Sequence, residues 1–240
     1  MDAPHDQQRT LPTPGGDLPL HEYHLRAGGR AWAILHTGAV LSRDDESQVI
    51  GESRERLPYG VALWPAALAL AHEVLARADA MRDTRILELG AGTGLPGLVA
   101  ATLGGRVTQT DRNELVLSVC QRNGARNGAP PIEYRLTDWA EWDDEGRYDW
   151  IIGADILYGA AMHGELRGIF ERNLAPGGRI LLTDPFRAAS LPLLEALEAD
   201  GWGVAVTKWN IGEGAALRPV GLFELTPPRT PDERRMTNDE

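Results

Sequence analysis

The stretch Ile86-Leu87-Glu88-Leu89-Gly90-Ala91-Gly92-Thr93-Gly94-Leu95-Pro96-Gly97 sets the frame for the rest of the chain. It leads from the β-type run Arg85–Leu89 through glycines at 90, 92 and 94 into a helical pattern over Leu95–Leu103. In that order, a glycine-rich loop reads as a nucleotide cradle. Glycine lets a ligand approach the backbone without Cβ interference, and the helix start presents unpaired N–H groups. Asp111 closes the next β-type run, Arg106–Thr110, twenty-one residues after Gly90. A carboxylate holding ribose hydroxyls is expected about 20 residues on.

Working outward, further β-type runs lie at Ile132–Leu136, Tyr148–Gly153, Arg179–Thr183, Trp202–Thr207 and Val220–Leu225. Helical patterns at Asn113–Asn127, Ala161–Leu174 and Ala188–Asp200 separate the earlier ones, the alternation a parallel sheet requires. No helix separates the last two runs, and Asn210–Gly214 reads as a turn, so the last strand is expected antiparallel. Upstream, Leu20–Arg26 and Ala31–His36 flank Ala27-Gly28-Gly29-Arg30, a hairpin signal, and Leu63–Ala80 reads as a helix with Pro65 in its first turn. The fold class is therefore α/β: a Rossmann-like, seven-stranded, mostly parallel sheet with helices on both faces and an N-terminal β-hairpin. Residues 1–17 and 227–240 read as flexible tails around one domain at 18–226, with hairpin and loop at 18–60 and the Rossmann-like core at 61–226.

Composition narrows the function. With 35 acidic against 24 basic residues and a net charge of −11, the chain opposes the field that phosphate-backbone binding needs, so nucleic acid is not an expected partner. The apolar-looking run Val61–Ala71 falls short of the roughly 18 residues that cross a bilayer, and the N-terminus lacks a signal-peptide layout. A cytoplasmic protein with no membrane partner is expected. Cys120 is the lone cysteine, so neither an intrachain disulfide nor a Cys-rich zinc site is available, and His36, His72 and His163 form no metal-ligand cluster in sequence.

Gly92-x-Gly94-x-x-Gly97 also satisfies the dinucleotide fingerprint, which keeps an NAD-dependent oxidoreductase open as an alternative. Glu88 argues the other way. A carboxylate two residues before Gly90 crowds an anionic pyrophosphate, whereas S-adenosylmethionine carries a sulfonium and an ammonium that an acidic neighbour favours.

The segments Glu88-Leu89-Gly90-Ala91-Gly92-Thr93-Gly94-Leu95-Pro96-Gly97, Thr110-Asp111, Asp138-Trp139 and Gly153-Ala154-Asp155-Ile156-Leu157-Tyr158, in that order, resemble the successive motifs of the seven-strand methyltransferases. More narrowly they resemble the branch holding the non-SET protein lysine methyltransferases, where Leu63-Trp64-Pro65-Ala66-Ala67 is also similar to the segment before the first strand. The resemblance spans about Tyr59 to Leu225. It implies S-adenosylmethionine as cofactor, with S-adenosylhomocysteine as product, and roles by position. Glu88, Gly90, Ala91 and Gly92 would line the methionine part and the glycine loop, Asp111 would hold the ribose, and Trp64 and Ala154 would also contact the cofactor. Arg112, Asp138 and Trp139 would frame the adenine.

Asp155 and Tyr158 follow the fourth strand of the sheet, on the edge where ligands bind. If a helical turn starts there they share one face, and together they would orient an incoming amine on a protein or a small molecule. Asp155 as a simple helix cap is the competing reading. Asp184-Pro185-Phe186-Arg187, after the next strand, resembles a segment of the electron-transfer-flavoprotein lysine methyltransferases. Adenine amino-group methylation would need a proline-containing run in place of Asp155-Ile156-Leu157-Tyr158. Cytosine ring-carbon methylation would need a cysteine at the edge, and Cys120 is expected mid-helix, away from it. The N-terminal hairpin and Arg43–Arg56 are expected to shape the acceptor entrance.

Overall fold

A Gly28-Gly29 turn closes the N-terminal hairpin, both residues left-handed at φ 54° and 73°, as a two-residue turn between right-twisted strands demands. The computed structural model describes residues 10–13, 16–38, 59–212 and 217–228. Ahead of the hairpin, β1 (Thr10–Leu11) pairs with β2 (Leu18–Pro19), and the hairpin itself is β3 (His21–Ala27) and β4 (Arg30–His36). The expected tail is thereby corrected at Thr10–Leu11. Leu11 is fully buried with Leu35, Val116 and Val119, and burying one leucine is worth about 1.5–3 kcal/mol. Both Arg43–Arg56 and the chain from residue 229 onward lie outside the described residues.

The single helix expected over Leu63–Ala80 is two: α1 (Pro65–Ala76) and the short α2 (Ala78–Met81). The break falls at Arg77, whose N–H is shared between the Glu73 and Val74 carbonyls at 3.2 Å each and whose guanidinium is drawn 2.8 Å from Glu224. Then follow β5 (Arg85–Leu89), α3 (Leu95–Thr102), β6 (Arg106–Asp111), α4 (Glu114–Arg126), β7 (Glu133–Leu136), β8 (Tyr148–Ala154), α5 (His163–Asn173), β9 (Leu174–Asp184), α6 (Leu191–Ala199), β10 (Gly203–Ile211) and β11 (Arg218–Thr226). Because β10 runs through Asn210 and Ile211, the turn expected at Asn210–Gly214 does not begin at Asn210, and residues 213–216 lie outside the described residues.

Alternate residues of the central strands enter different cores. Ile86, Trp150, Ile152 and Leu181 pack with α1 and α3 on one face, while Leu87, Leu89, Ile151, Ile180 and Leu182 pack with α5 and α6 on the other. The sheet order is β10-β11-β9-β8-β5-β6-β7, parallel from β7 to β9, with β11 antiparallel to both of its neighbours. From β5 the chain first builds outward through β6 and β7, then returns to build β8 and β9 on the other side. In an open α/β sheet, ligands bind beyond the carboxyl ends at such a switch point. The segments that follow β5, β6, β8 and β9 carry Gly90–Gly94, Asp111, Asp155–Tyr158 and Asp184–Arg187.

Candidate functional site

Three consecutive carbonyls of the glycine loop are turned back into the protein. Gly92 O lies 3.1 Å from the Cys120 thiol, Thr93 O accepts from Asn123 Nδ2 at 2.8 Å, and Gly94 O accepts from Gln109 Nε2 at 2.8 Å. On the strand side, Ala91 N–H donates to Thr110 O at 2.9 Å. The loop is thus fastened to α4 and β6 from behind, and a buried loop whose polar groups are satisfied in this way is held rigidly. Gly92 is left-handed at φ 58°, and a Cβ there would meet the Gly60 carbonyl at 3.1 Å, so the chain itself demands glycine before any ligand does. This corrects the expectation for Cys120. It is mid-helix, as read, but buried against the loop rather than away from it.

Glu88 is 2% exposed and committed to the same support. It alternates onto the face of Ile86, opposite Gln109 in the strand register, and accepts from Gln109 Nε2 at 2.6 Å and from Gly97 N–H at 3.1 Å. Burial pushes its carboxyl up to about 8 against the pull of those two hydrogen bonds. Asp111 stands at the edge of β6, where its carboxylate accepts from Asn113 N–H at 3.0 Å and Gly92 N–H at 3.4 Å. Burial raises its pKa, opposed by those N–H groups and by the Arg112 charge.

Gly90, Ala91, Gly92 and Asp111 therefore come together. Trp139 joins them, because a Cβ added at Gly90 would meet Ile156 Cγ2 at 3.0 Å and Trp139 Cζ2 at 3.5 Å. Asp138 caps the short helical turn Trp139–Glu141 by accepting from Ala140 N–H at 3.0 Å, and Arg112 is exposed beside Asp111. Ala154 ends β8. Trp64 precedes α1, whose Ala66 carbonyl accepts from Thr183 Oγ1 at 2.8 Å and so brings that helix start to the carboxyl end of β9.

On the acceptor side the expected helical turn at Asp155 does not form. The first turn after β8 is Ala160–Met162, capped by Gly159, so Asp155 is neither a helix cap nor a facial neighbour of Tyr158. Instead Asp155 is left-handed at φ 53° and binds Arg187 with both carboxylate oxygens, Nε to Oδ1 at 2.8 Å and Nη2 to Oδ2 at 2.7 Å. Phe186, beside that arginine, is also left-handed at φ 60°. Such backbone outliers in non-glycine residues gather at functional sites, where the surroundings enforce them. Asp184 fixes the second segment by accepting from Arg187 N–H at 2.6 Å and Ser190 Oγ at 2.7 Å. Tyr158 is 62% exposed.

Sequence reasoning leaves four of these supports unassigned: Gln109, Cys120, Asn123 and Arg187. Arg187 is signalled by the Asp-Pro-Phe-Arg segment. Asn123 is signalled by a polar residue on the helix stripe that also carries Val116, Val119 and Cys120.

Against known proteins, the chain is 34% identical over 113 residues to protein N-lysine methyltransferase METTL21A of Xenopus tropicalis, covering 45% of this chain and 53% of that one. It is 34% identical over 137 residues to EEF1A lysine methyltransferase 3 of Mus musculus, covering 55% and 59%. The chain thus spans little more than half the length of these curated relatives. Among solved structures, the N-methyltransferase NodS from Bradyrhizobium japonicum superposes with a TM-score of 0.54 at 18% identity, covering 66% of this chain and 86% of that one, a likeness of fold. The model of a family described as lysine methyltransferase matches residues 43–190, well over half of the 240. The oxidoreductase alternative is thereby set aside, and the chain belongs to the lysine methyltransferase family.

Proposed function

We propose that the chain binds S-adenosylmethionine beyond the carboxyl ends of β5, β6 and β8 and transfers its methyl group to the side-chain amine of a protein lysine. The observation that carries this reading is the glycine loop at the switch point, its carbonyls drawn inward by Cys120, Asn123 and Gln109, with Asp111 beside it. Such a loop offers a cation-bearing nucleoside a carboxylate and close backbone approach. The NodS neighbour was solved in complex with S-adenosyl-l-homocysteine, and the frog and mouse relatives are named lysine methyltransferases.

The cofactor supplies an electrophilic methyl group on sulfur. What remains for the protein is to bind, orient and exclude water. Asp111 takes the ribose hydroxyls, and Trp139 offers its ring to the adenine with Asp138 and Arg112 alongside. Glu88 holds the loop, while Trp64, Gly90, Ala91, Gly92 and Ala154 border the methionine end. Asp155 and Tyr158 orient the acceptor amine, with Arg187 keeping the Asp155 carboxylate in place. Each carboxylate oxygen has further acceptor capacity beyond its guanidinium bond, so Asp155 can still receive an amine N–H. Cytoplasmic residence suits the single buried thiol, and the net charge of −11 favours a basic acceptor segment over nucleic acid.

Radiolabelled methyl transfer into a lysate, separated into protein and small-molecule fractions, tests the reading. Label in a protein band that hydrolyses to methyl-lysine supports it. Label only in the small-molecule fraction replaces the acceptor, and no label in either removes the activity.

A further inference from the structure

Two asparagines one turn apart, Asn123 on α4 and Asn127 at its C-cap, cover the edge of β4 that β3 leaves free. Asn123 accepts from Leu35 N–H at 2.8 Å and donates to Leu35 O at 3.2 Å, and Asn127 does the same with Ala33 at 2.8 Å and 2.8 Å. The spacing explains the fit. Four residues of helix rise about 6 Å, close to the roughly 6.6–6.8 Å spanned by two residues of strand. The two carboxamides act as a side-chain strand on an edge that would otherwise expose unpaired backbone groups.

The two rungs differ in their remaining donor. The second N–H of Asn127 returns to its own helix, at 2.7 Å from Asn123 O. The second N–H of the fully buried Asn123 goes to Thr93 O, inside the glycine loop. One side chain therefore binds the hairpin and the loop at once. The hairpin is anchored independently to the helix that leaves the loop, with Trp32 Nε1 at 3.1 Å from Thr102 Oγ1 and Arg30 Nη1 at 2.7 Å from Thr102 O. Beyond β4, Thr37 N–H reaches Val61 O at 3.0 Å, next to the Gly60 carbonyl that packs on Gly92.

We infer that Asn123 is a positioning residue that makes the N-terminal hairpin a part of the cofactor site, so that hairpin docking and cofactor affinity are linked. Asn123 and Thr93 lie inside residues 43–190, where the family model matches, and the hairpin strands that Asn123 joins to them lie before it. The inference rests on the proposal that the loop cradles S-adenosylmethionine. By reciprocity, whatever order the hairpin gives the loop, a bound cofactor returns to the hairpin.

The experiment compares N123D with N127D by calorimetric titration of S-adenosylhomocysteine into the full chain. Each change keeps the acceptor for the strand N–H and removes both donors, so each loosens the hairpin and lowers the melting temperature. N123D is expected to weaken S-adenosylhomocysteine by about tenfold or more, and N127D by a smaller factor of about three, because both loosen the hairpin and only the first also loses the bond to Thr93. A second measurement needs no variant: saturating S-adenosylhomocysteine should slow hydrogen exchange at the Leu35 amide of the wild type. Unchanged affinity in N127D despite a lowered melting temperature, unchanged affinity in N123D, or unaltered Leu35 exchange overturns the coupling alone. A wild type that binds no S-adenosylhomocysteine overturns the cofactor reading and the coupling with it.

Discussion

The two halves of the site are built by opposite means. The cofactor half is made of buried backbone and buried side chains that satisfy one another, with Glu88, Gln109 and Asn123 at 2% exposure or less and the loop between them fixed on both sides. The proposed acceptor half is made of two left-handed, non-glycine residues, the Arg187–Asp155 ion pair and an aromatic ring 62% exposed. A ligand common to a fold can be met by a preformed cradle. An acceptor that differs between relatives must be met by side chains at the rim, held by a few specific bonds. Damage on one half should therefore appear as lost affinity, and on the other as lost rate.

The largest effect is expected at Asp155. Asp155→Asn weakens the paired grip of Arg187 and displaces the group that orients the amine, so turnover should fall about 100-fold or more while affinity for S-adenosylhomocysteine stays within about twofold. Because both carboxylate oxygens are bonded to Arg187, the melting temperature should also fall, by the several degrees that a loss of about 1–3 kcal/mol implies. Steady-state rates, calorimetry and thermal unfolding on one preparation decide it. Normal turnover removes Asp155 from the acceptor half.

Next in size is Asp111→Ala on the cofactor half, with the opposite signature. Removing a carboxylate that is proposed to hold ribose hydroxyls and that accepts from Gly92 and Asn113 should weaken S-adenosylhomocysteine by ~1–3 kcal/mol, roughly 5- to 150-fold. At saturating cofactor the turnover should be near that of the wild type. If the dissociation constant does not move, Asp111 is a loop bond only.

The cofactor half is also the more legible in sequence, for a physical reason. A strand, glycines with positive φ and a helix start constrain the backbone locally, so Arg85–Leu89 and the Gly90–Gly94 loop can be placed from pattern alone. The supports behind the loop depend on which helix face meets it, and that is set by tertiary packing. Pattern accordingly places Cys120 mid-helix but on the wrong side. At Asp155 the local rule misleads, since an aspartate before a helical pattern usually caps it, whereas here a long-range arginine competes successfully for the carboxylate. The break at Arg77, whose φ of −103° and ψ of 25° leave the helical region, is likewise unmarked by any glycine or proline nearby in the chain.

A third prediction uses the charge state of Glu88 to probe how dry the cofactor half is. In the folded chain its carboxyl is pushed up to about 8, from an ordinary value of 4.5. Between those two values the folded state keeps a proton that the unfolded chain gives up, so this residue's contribution to stability is full below about pH 4.5 and is lost as pH rises through about 8. Glu88→Gln can still accept from Gln109 and Gly97 but has no proton to lose. A tenfold difference in acidity between the folded and unfolded chain is worth about 1.4 kcal/mol, so the fall in melting temperature from pH 5 to pH 8 should be smaller in the variant by several degrees. Parallel pH profiles for the two proteins would mean that the carboxylate is ionised and solvated, and that the cradle is wetter than its burial indicates.

The smallest effect is expected at Tyr158, and it is the cleanest test of the rim. Its ring is 62% exposed, so Tyr158→Phe removes one hydroxyl without opening a cavity or stranding a buried group. Melting temperature and S-adenosylhomocysteine affinity should both be unchanged. If the hydroxyl meets the acceptor amine, a single hydrogen bond of about 0.5–1.5 kcal/mol is lost, and kcat/KM for the acceptor should fall by roughly 2- to 12-fold. The split between the constants then locates the contact in the reaction. A raised KM with unchanged kcat means the hydroxyl binds the amine equally in ground and transition states, and a lowered kcat means it matters only as the lone pair aligns with the methyl group. An unchanged kcat/KM leaves Tyr158 as exposed surface and assigns orientation of the amine to Asp155 alone.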